Sequence, residues 1–179
     1  VTSPSVCMGA ANFTITGSPV PGTGESGTWS AGSGLLSDID ANTGTATFIS
    51  STLAAGTYPV TYAFVDANGC SNAANGSVII RPLPNLSGPT TVCEDADITL
   101  EGSGTPASIS PFISSDTGIA TVDDSGVVTG ESIGSVTITY TDNSGCQATA
   151  NVEVLENPEV TVGSPDICYD GSTMFDLIT

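Results

Sequence analysis

The chain repeats itself, and cysteine marks the repeat. Cys7 ends Ser3-Pro4-Ser5-Val6-Cys7, Cys93 ends Gly88-Pro89-Thr90-Thr91-Val92-Cys93, and Cys168 ends Ser164-Pro165-Asp166-Ile167-Cys168. A second class of cysteine follows an Asx-Gly stretch. Cys70 comes after Asp66-Ala67-Asn68-Gly69, and Cys146 after Asp142-Asn143-Ser144-Gly145. The opening cysteines stand 86 and 75 residues apart, the closing ones 76. Self-similarity at a fixed period means modules in series, to be recognised before any site is sought. The sequence therefore divides into 1–83, 84–157 and the start of a third module at 158–179. Proline-marked joints at Arg81-Pro82-Leu83-Pro84 and Glu156-Asn157-Pro158 separate them as short, semi-rigid spacers. The linker-like Thr2-Ser3-Pro4 at one end and the interrupted module at the other suggest a segment of a longer protein.

Modules this small bury only about 60% of their unfolded surface and need reinforcement. Paired cysteines supply it outside the reducing cytosol. Pairing Cys7 with Cys70 and Cys93 with Cys146 gives both repeats the same topology. Each bond then closes a loop of more than 50 residues, which stabilises a module by roughly 4 kcal/mol in the chain-entropy model. These bonds are expected to staple one end of each module, close to the Asx-Gly turn. Cys168 is left over, with its partner expected in the next repeat.

Nineteen acids face a single base, Arg81, for a net charge of −18, and the chain has neither Lys nor His. A nucleic-acid binder needs a basic footprint, so DNA and RNA are excluded as partners. Anionic membrane surfaces are disfavoured, and no apolar run is long enough to insert as a span. The acids are uneven: residues 1–83 carry four, residues 84–157 eleven.

No segment has a helical period. From Thr57 to Val65, Tyr58, Val60, Tyr62 and Phe64 alternate with polar or small residues. From Gly134 to Thr141, Val136, Ile138 and Tyr140 do the same. Period-two runs with Thr between the apolar positions are half-buried strands, and the Asx-Gly stretches after them are hairpin turns. Further strands are expected at Ser77–Ile80 and Ala148–Leu155. Phe13 and Ile15, Ile98 and Leu100, and Phe175 and Leu177 alternate shortly after each opening cysteine. The fold class is all-β, as tandem immunoglobulin-like sandwich repeats, each with one disulfide. Trp29 and its counterpart Phe112 are expected to anchor the two cores.

Residues 112–141 resemble the bacterial immunoglobulin-like group 2 domain. The likeness lies in Phe112, Ser114-Ser115, Ala120-Thr121-Val122-Asp123, Gly126, Val128-Thr129, and Gly134 with Val136 and Ile138. In the first repeat, Gly27-Thr28-Trp29-Ser30 and Gly56-Thr57-Tyr58-Pro59-Val60-Thr61-Tyr62 resemble repeats of giant Bacteroidota cell-surface proteins. Those include gliding-motility adhesins exported by the type IX secretion system. The resemblance implies an extracellular location on the outer surface of a bacterium. It also implies a structural stalk or spacer supporting adhesion or gliding motility, with neighbouring repeats of the same long chain as partners. The alternative is a ligand-binding module directed at a surface polysaccharide or a protein, with calcium assisting.

Enzymatic chemistry has little to build on. Without His there is no Ser-His-Asp or Cys-His arrangement and no usual zinc set. Asp116-Thr117-Gly118 and Asp124-Ser125-Gly126 fit the aspartic-protease signature, but they stand too close together to come from separate lobes, and turn chemistry accounts for them. No cofactor is expected. The weak calcium candidates are Glu94, Asp95 and Asp97 with Asp123 and Asp124. Calcium needs six to eight oxygens at one point, and a solvated acidic surface is the simpler reading.

Overall fold

From Gly56 to Val65 and from Gly134 to Thr141, where apolar and hydroxyl residues alternate, the chain forms its two longest penultimate strands. Each buries one face: Val60 and Tyr62 in the first, Val136, Ile138 and Tyr140 in the second. The computed structural model describes residues 4–160. Phe175, Leu177, Cys168 and most of the expected third module lie outside those residues.

Seven strands make up the first unit: β1 (Ser5–Cys7), β2 (Phe13–Thr16), β3 (Ser26–Ala31), β4 (Leu36–Asp40), β5 (Thr45–Phe48), β6 (Gly56–Val65) and β7 (Ser71–Arg81). The second unit follows with β8 (Leu86–Ser87), β9 (Thr91–Cys93), β10 (Asp97–Thr99), β11 (Glu101–Gly102) and β12 (Phe112–Ser114). It ends with β13 (Ala120–Val122), β14 (Val127–Gly130), β15 (Gly134–Thr141) and β16 (Gln147–Leu155). Among the described residues there is no helix, and none therefore long and apolar enough to cross a membrane.

The two units are wired alike. One sheet runs β1-β7-β6-β3 in the first and β9-β16-β15-β12 in the second; the facing sheet runs β2-β5-β4 and β10-β14-β13. The short pair β8-β11 is an addition of the second unit. Setting the added β8 aside, the first strand of each unit lies parallel to the last, β1 to β7 and β9 to β16, while the other strand pairings are antiparallel. Side chains from both sheets fill the space between them. Ile15, Ala46 and Phe48 meet Trp29, Val60, Tyr62, Val78 and Ile80 in one core. Leu100, Ala120 and Val128 meet Val92, Phe112, Val136, Ile138, Tyr140, Val152 and Val154 in the other. Alternating inward-facing residues from two packed sheets define the immunoglobulin-like sandwich.

The hairpin ending each unit is set by one aspartate. Asp66 Oδ1 accepts from the N–H groups of Asn68 and Cys70 at 2.9 and 2.8 Å. Asp142 Oδ1 accepts from Ser144 and Cys146 at 2.8 and 2.9 Å. Gly69 and Gly145 take φ values of 84° and 80°, the left-handed conformation that a side chain resists. From these turns β7 and β16 run back the full length of their sheets, in register from Val65↔Ser71 to Gly56↔Ile80 and from Thr141↔Gln147 to Gly134↔Val154.

Candidate functional site

The parallel pairing of first and last strands decides where the cysteines lie. Cys7 stands opposite Arg81, at the end of β7, whereas Cys70 immediately precedes its start. Eleven residues of strand separate the two positions, roughly 36 Å at a rise of about 3.3 Å per residue. Cys93 likewise stands opposite Leu155, while Cys146 precedes Gln147 at the other end of β16. Bonds within each unit are thus out of reach, since a disulfide needs Cα atoms within about 7 Å. The expected pairs Cys7–Cys70 and Cys93–Cys146, one per repeat beside the turn, are corrected here. The observed bond joins Cys7 to Cys146 with a Cα–Cα distance of 5.6 Å. Among the described residues Cys70 and Cys93 are free thiols, Cys70 exposed and Cys93 half-buried.

That bond sits at a junction of the two units. β7 leads through Pro82–Pro84 to Asn85, whose carbonyl accepts from Ser103 N–H at 2.8 Å. Two residues beyond Ser103, the Thr105 carbonyl accepts from Asn143 N–H at 2.8 Å, inside the Asp142 turn. The entry to the second unit and its last hairpin turn therefore share one end. The exit of the first unit, with Cys7 and Arg81, meets that end. Cys146 is 1% exposed, so the junction is sealed on the side of the second unit.

The acidic candidates for calcium are placed apart. Asp97 pairs with Thr129, and its Oδ1 accepts from the Thr129 hydroxyl at 2.6 Å. Glu94 bridges to Gly130 beside it. Asp123 and Asp124 lie in the turn before Val127, at the opposite end of β14. There Asp123 Oδ1 accepts from the N–H groups of Ser125 and Val127, at 2.9 Å each, and from the Ser125 hydroxyl at 2.7 Å. The hydroxyl of Ser125, then the Val127 N–H, hold the Asp123 carboxyl below its ordinary value. Among the described residues no group of three or more metal-ligating side chains gathers at one point. Asp116 Oδ1 accepts from Gly118 N–H at 2.9 Å, so Asp-Thr-Gly is a turn here.

Trp29 and Phe112 lie in the cores. Each is in register with a tyrosine of the penultimate strand and packs on it: Trp29 on Tyr62 with ring centroids 5.0 Å apart, Phe112 on Tyr140 at 4.9 Å. A shallow groove beside Tyr140 is lined by Glu101, Gly102, Pro106, Asp124 and Ser125. Sequence reasoning passed over Pro19, whose carbonyl accepts from the Tyr62 hydroxyl at 2.8 Å. The loop that carries it has no periodic pattern to draw attention.

Residues 86–152 match the bacterial Ig-like domain (group 2). The group 2 match thus covers the second unit from β8 into β16 and takes in the Asp142 turn and Cys146. No curated protein matches the sequence. Among solved structures, an intimin mutant of enterohaemorrhagic O157:H7 is 30% identical over 36% of this chain and 35% of its own, with a TM-score of 0.31. The C-terminal 282-residue fragment of intimin, solved with the intimin-binding domain of its translocated receptor, is 19% identical over 79% of this chain and 56% of its own, with a TM-score of 0.49. A Bacteroides ovatus protein of a mixed-linkage glucan utilization locus, solved with a heptasaccharide, is 20% identical over 86% and 43%, with a TM-score of 0.32. The chain spans between 35% and 56% of the intimin structures it matches.

Proposed function

We propose that this chain is a run of spacer repeats from an extracellular surface adhesin or filament of a bacterium, holding a distal part of the protein away from the cell. The observation that carries the reading is the joint. Two sandwiches of one strand order are bonded end to end through Cys7 and Cys146. The match of residues 86–152 to the group 2 Ig-like domain supports it. In this reading residues 1–83 and 84–157 are successive repeats and 158–179 opens a third. The finer assignment is to Bacteroidota adhesins that serve gliding and leave through the type IX secretion system. It rests on the Gly56-Thr57-Tyr58 pattern, the cysteine framework and the acidity.

Calcium is not required for the spacer. Its acids are spread over turns and strands, where their main collective effect is mutual repulsion. Solution scattering of the oxidised chain tests the arrangement. Two beads end to end give the described residues a radius of gyration of about 20 Å, against about 15 Å for a single compact body of that size. The compact value would refute the spacer. A glycan array in which the chain retains a defined oligosaccharide would replace it with the ligand-binding reading.

A further inference from the structure

We propose that the junction seen once in this chain is a recurring joint, in which the cysteine ending one unit's first strand bonds the cysteine after the last hairpin turn of the unit that follows. Cys93 and Cys70 are the two open halves of that joint, and each takes the complementary cysteine of an adjoining repeat of the same kind. The inference rests on the reading of the units as successive beads and adds to it the covalent rule of their connection.

The internal likeness of the units carries the argument. Cys93 holds in the second unit the place of Cys7 in the first. Each ends the strand that lies parallel to the last one, Cys7 opposite Arg81 and Cys93 opposite Leu155. The next residue donates its N–H back to that opposing carbonyl in both, Met8 to Arg81 at 2.8 Å and Glu94 to Leu155 at 3.0 Å. Cys70 holds the place of Cys146. Each follows a turn in which an aspartate Oδ1 accepts the cysteine's own N–H, at 2.8 Å for Cys70 and 2.9 Å for Cys146. The two filled positions are bonded to each other. Among the described residues the two open positions lie at the outer ends of the pair, Cys70 at that of the first unit and Cys93 at that of the second. A thiol at each outer end cannot reach the other, and each matches a position whose partner comes from the neighbouring unit. The occupant is therefore a repeat of this architecture docked end to end, with unlike cysteine classes meeting.

Closing the joint forms one S–S bond from two thiols, which release two protons and two electrons. A disulfide of low molecular weight, such as oxidised glutathione, accepts them by exchange. One thiolate attacks it and expels a first glutathione thiol. The second thiolate then attacks the mixed disulfide and expels the other.

The experiment uses the full chain, reduced and then reoxidised with glutathione at high protein concentration, so that a second copy serves as the adjoining repeat. Cross-linked peptides are mapped without reduction. The expected product is a series of linear oligomers whose chain-to-chain peptides join Cys93 to Cys70, with Cys7–Cys146 inside every copy. Cys93→Ser and Cys70→Ser each abolish the series, and Cys168→Ser leaves it in place. All three variants keep the wild-type Trp29 fluorescence. A majority of Cys93–Cys93, Cys70–Cys70 or Cys168-containing bonds would overturn the joint. So would monomers carrying glutathione on both thiols, or Cys7 found on Cys70. Scattering of the oxidised monomer of the Cys70→Ser/Cys93→Ser double variant, which keeps Cys7–Cys146, separates the two readings. An elongated monomer, with a wild-type chain that never cross-links, sinks the joint alone, and a compact one sinks the spacer whatever the thiols do.

Discussion

Tyr62 and Tyr140 occupy equivalent places on equivalent strands, each against the core aromatic of its sheet, yet their hydroxyls fare differently. Tyr62 donates to the Pro19 carbonyl at 2.8 Å, and its neighbour Trp29 donates through Nε1 to the Gly44 carbonyl at 2.9 Å. Tyr140 is 1% exposed, and its hydroxyl has no hydrogen-bond partner among the described residues. Burial raises the pKa of both phenols, and the Asp142 charge adds to the rise at Tyr140. A buried polar group without a partner forgoes its bonds to water and gains nothing in return. The first unit satisfies both polar aromatic atoms with loop carbonyls. The second replaces Trp by Phe and leaves one hydroxyl unmatched. The same strand order thus admits two solutions to the polar tips of core aromatics, and the loops decide which.

The comparison can be broken most forcefully by emptying each site. Tyr62→Ala and Tyr140→Ala are each expected to destabilise their own unit by about 3–5 kcal/mol, as for other large core aromatics. Trp29 is the only Trp in the chain, so its fluorescence reports denaturation of the first unit, and amide exchange on β15 and β16 reports the second. Equal loss in both units from either variant would mean that they unfold as one.

Adding volume comes next. A Cβ at Gly27 would overlap the Tyr62 hydroxyl, and one at Gly102 would overlap the Tyr140 ring. Overpacking of this kind destabilises by about 1–3 kcal/mol. Gly27→Ala is expected to cost more than Gly102→Ala, because the Tyr62 ring is tethered to Pro19 and the Tyr140 ring has no such tether. Denaturant melts that rank them the other way would remove the tether from the explanation.

Removing only the hydroxyls sharpens the contrast. Tyr62→Phe is expected to lose about 1 kcal/mol, one ordinary hydrogen bond. Tyr140→Phe is expected to be neutral or stabilising. A loss at Tyr140 as large as at Tyr62 would show that its hydroxyl is satisfied in solution.

The smallest effect concerns acid. Asp40 precedes the β4–β5 turn and Asp123 the β13–β14 turn, which are equivalent connections. Asp40 is held below its ordinary value of 3.8 chiefly by the Asn42 N–H, and Asp123 chiefly by the Ser125 hydroxyl. A lowered folded-state pKa gives stability that is fully present above 3.8 and is lost as pH falls through the folded value. Asp40→Asn is expected to flatten the acid limb of the Trp29 signal, and Asp123→Asn that of β15 and β16 amide exchange. Unchanged limbs in both would show that the turns open without regard to these carboxylates.

Much of this was legible beforehand, for stated reasons. Alternation placed Val60, Tyr62, Val136, Ile138 and Tyr140 because a strand with one buried face must repeat every second residue. The Asx-Gly stretches gave the hairpins because only their chemistry suits a tight left-handed turn. Trp29 and Phe112 were matched through the repeat. The disulfide was not legible. Spacing along the chain reveals that cysteines recur, but it says nothing about which end of a long strand each one occupies. The parallel pairing of β1 with β7 and of β9 with β16 carries that information, and strands of three residues leave little trace of it. The placing of the acids was not legible either: Glu94 to Asp97 and Asp123 to Asp124 fall at opposite ends of β14, which spacing along the chain does not show.

The bond between Cys7 and Cys146 spans 139 residues, and this changes how the molecule would carry tension. Force applied at Pro4 and Val160 enters β1, crosses the sulfurs and leaves through β16. Everything between, the whole of the first core and most of the second, lies in a closed bypass off the covalent path. If those residues could be drawn straight they would pay out about 460–500 Å of extra chain, at about 3.3–3.6 Å per residue. With the bond intact that slack is locked away, and only β16 and the few residues outside the bond can yield. The oxidised chain is a short, stiff link, and reduction turns it into a long, compliant one.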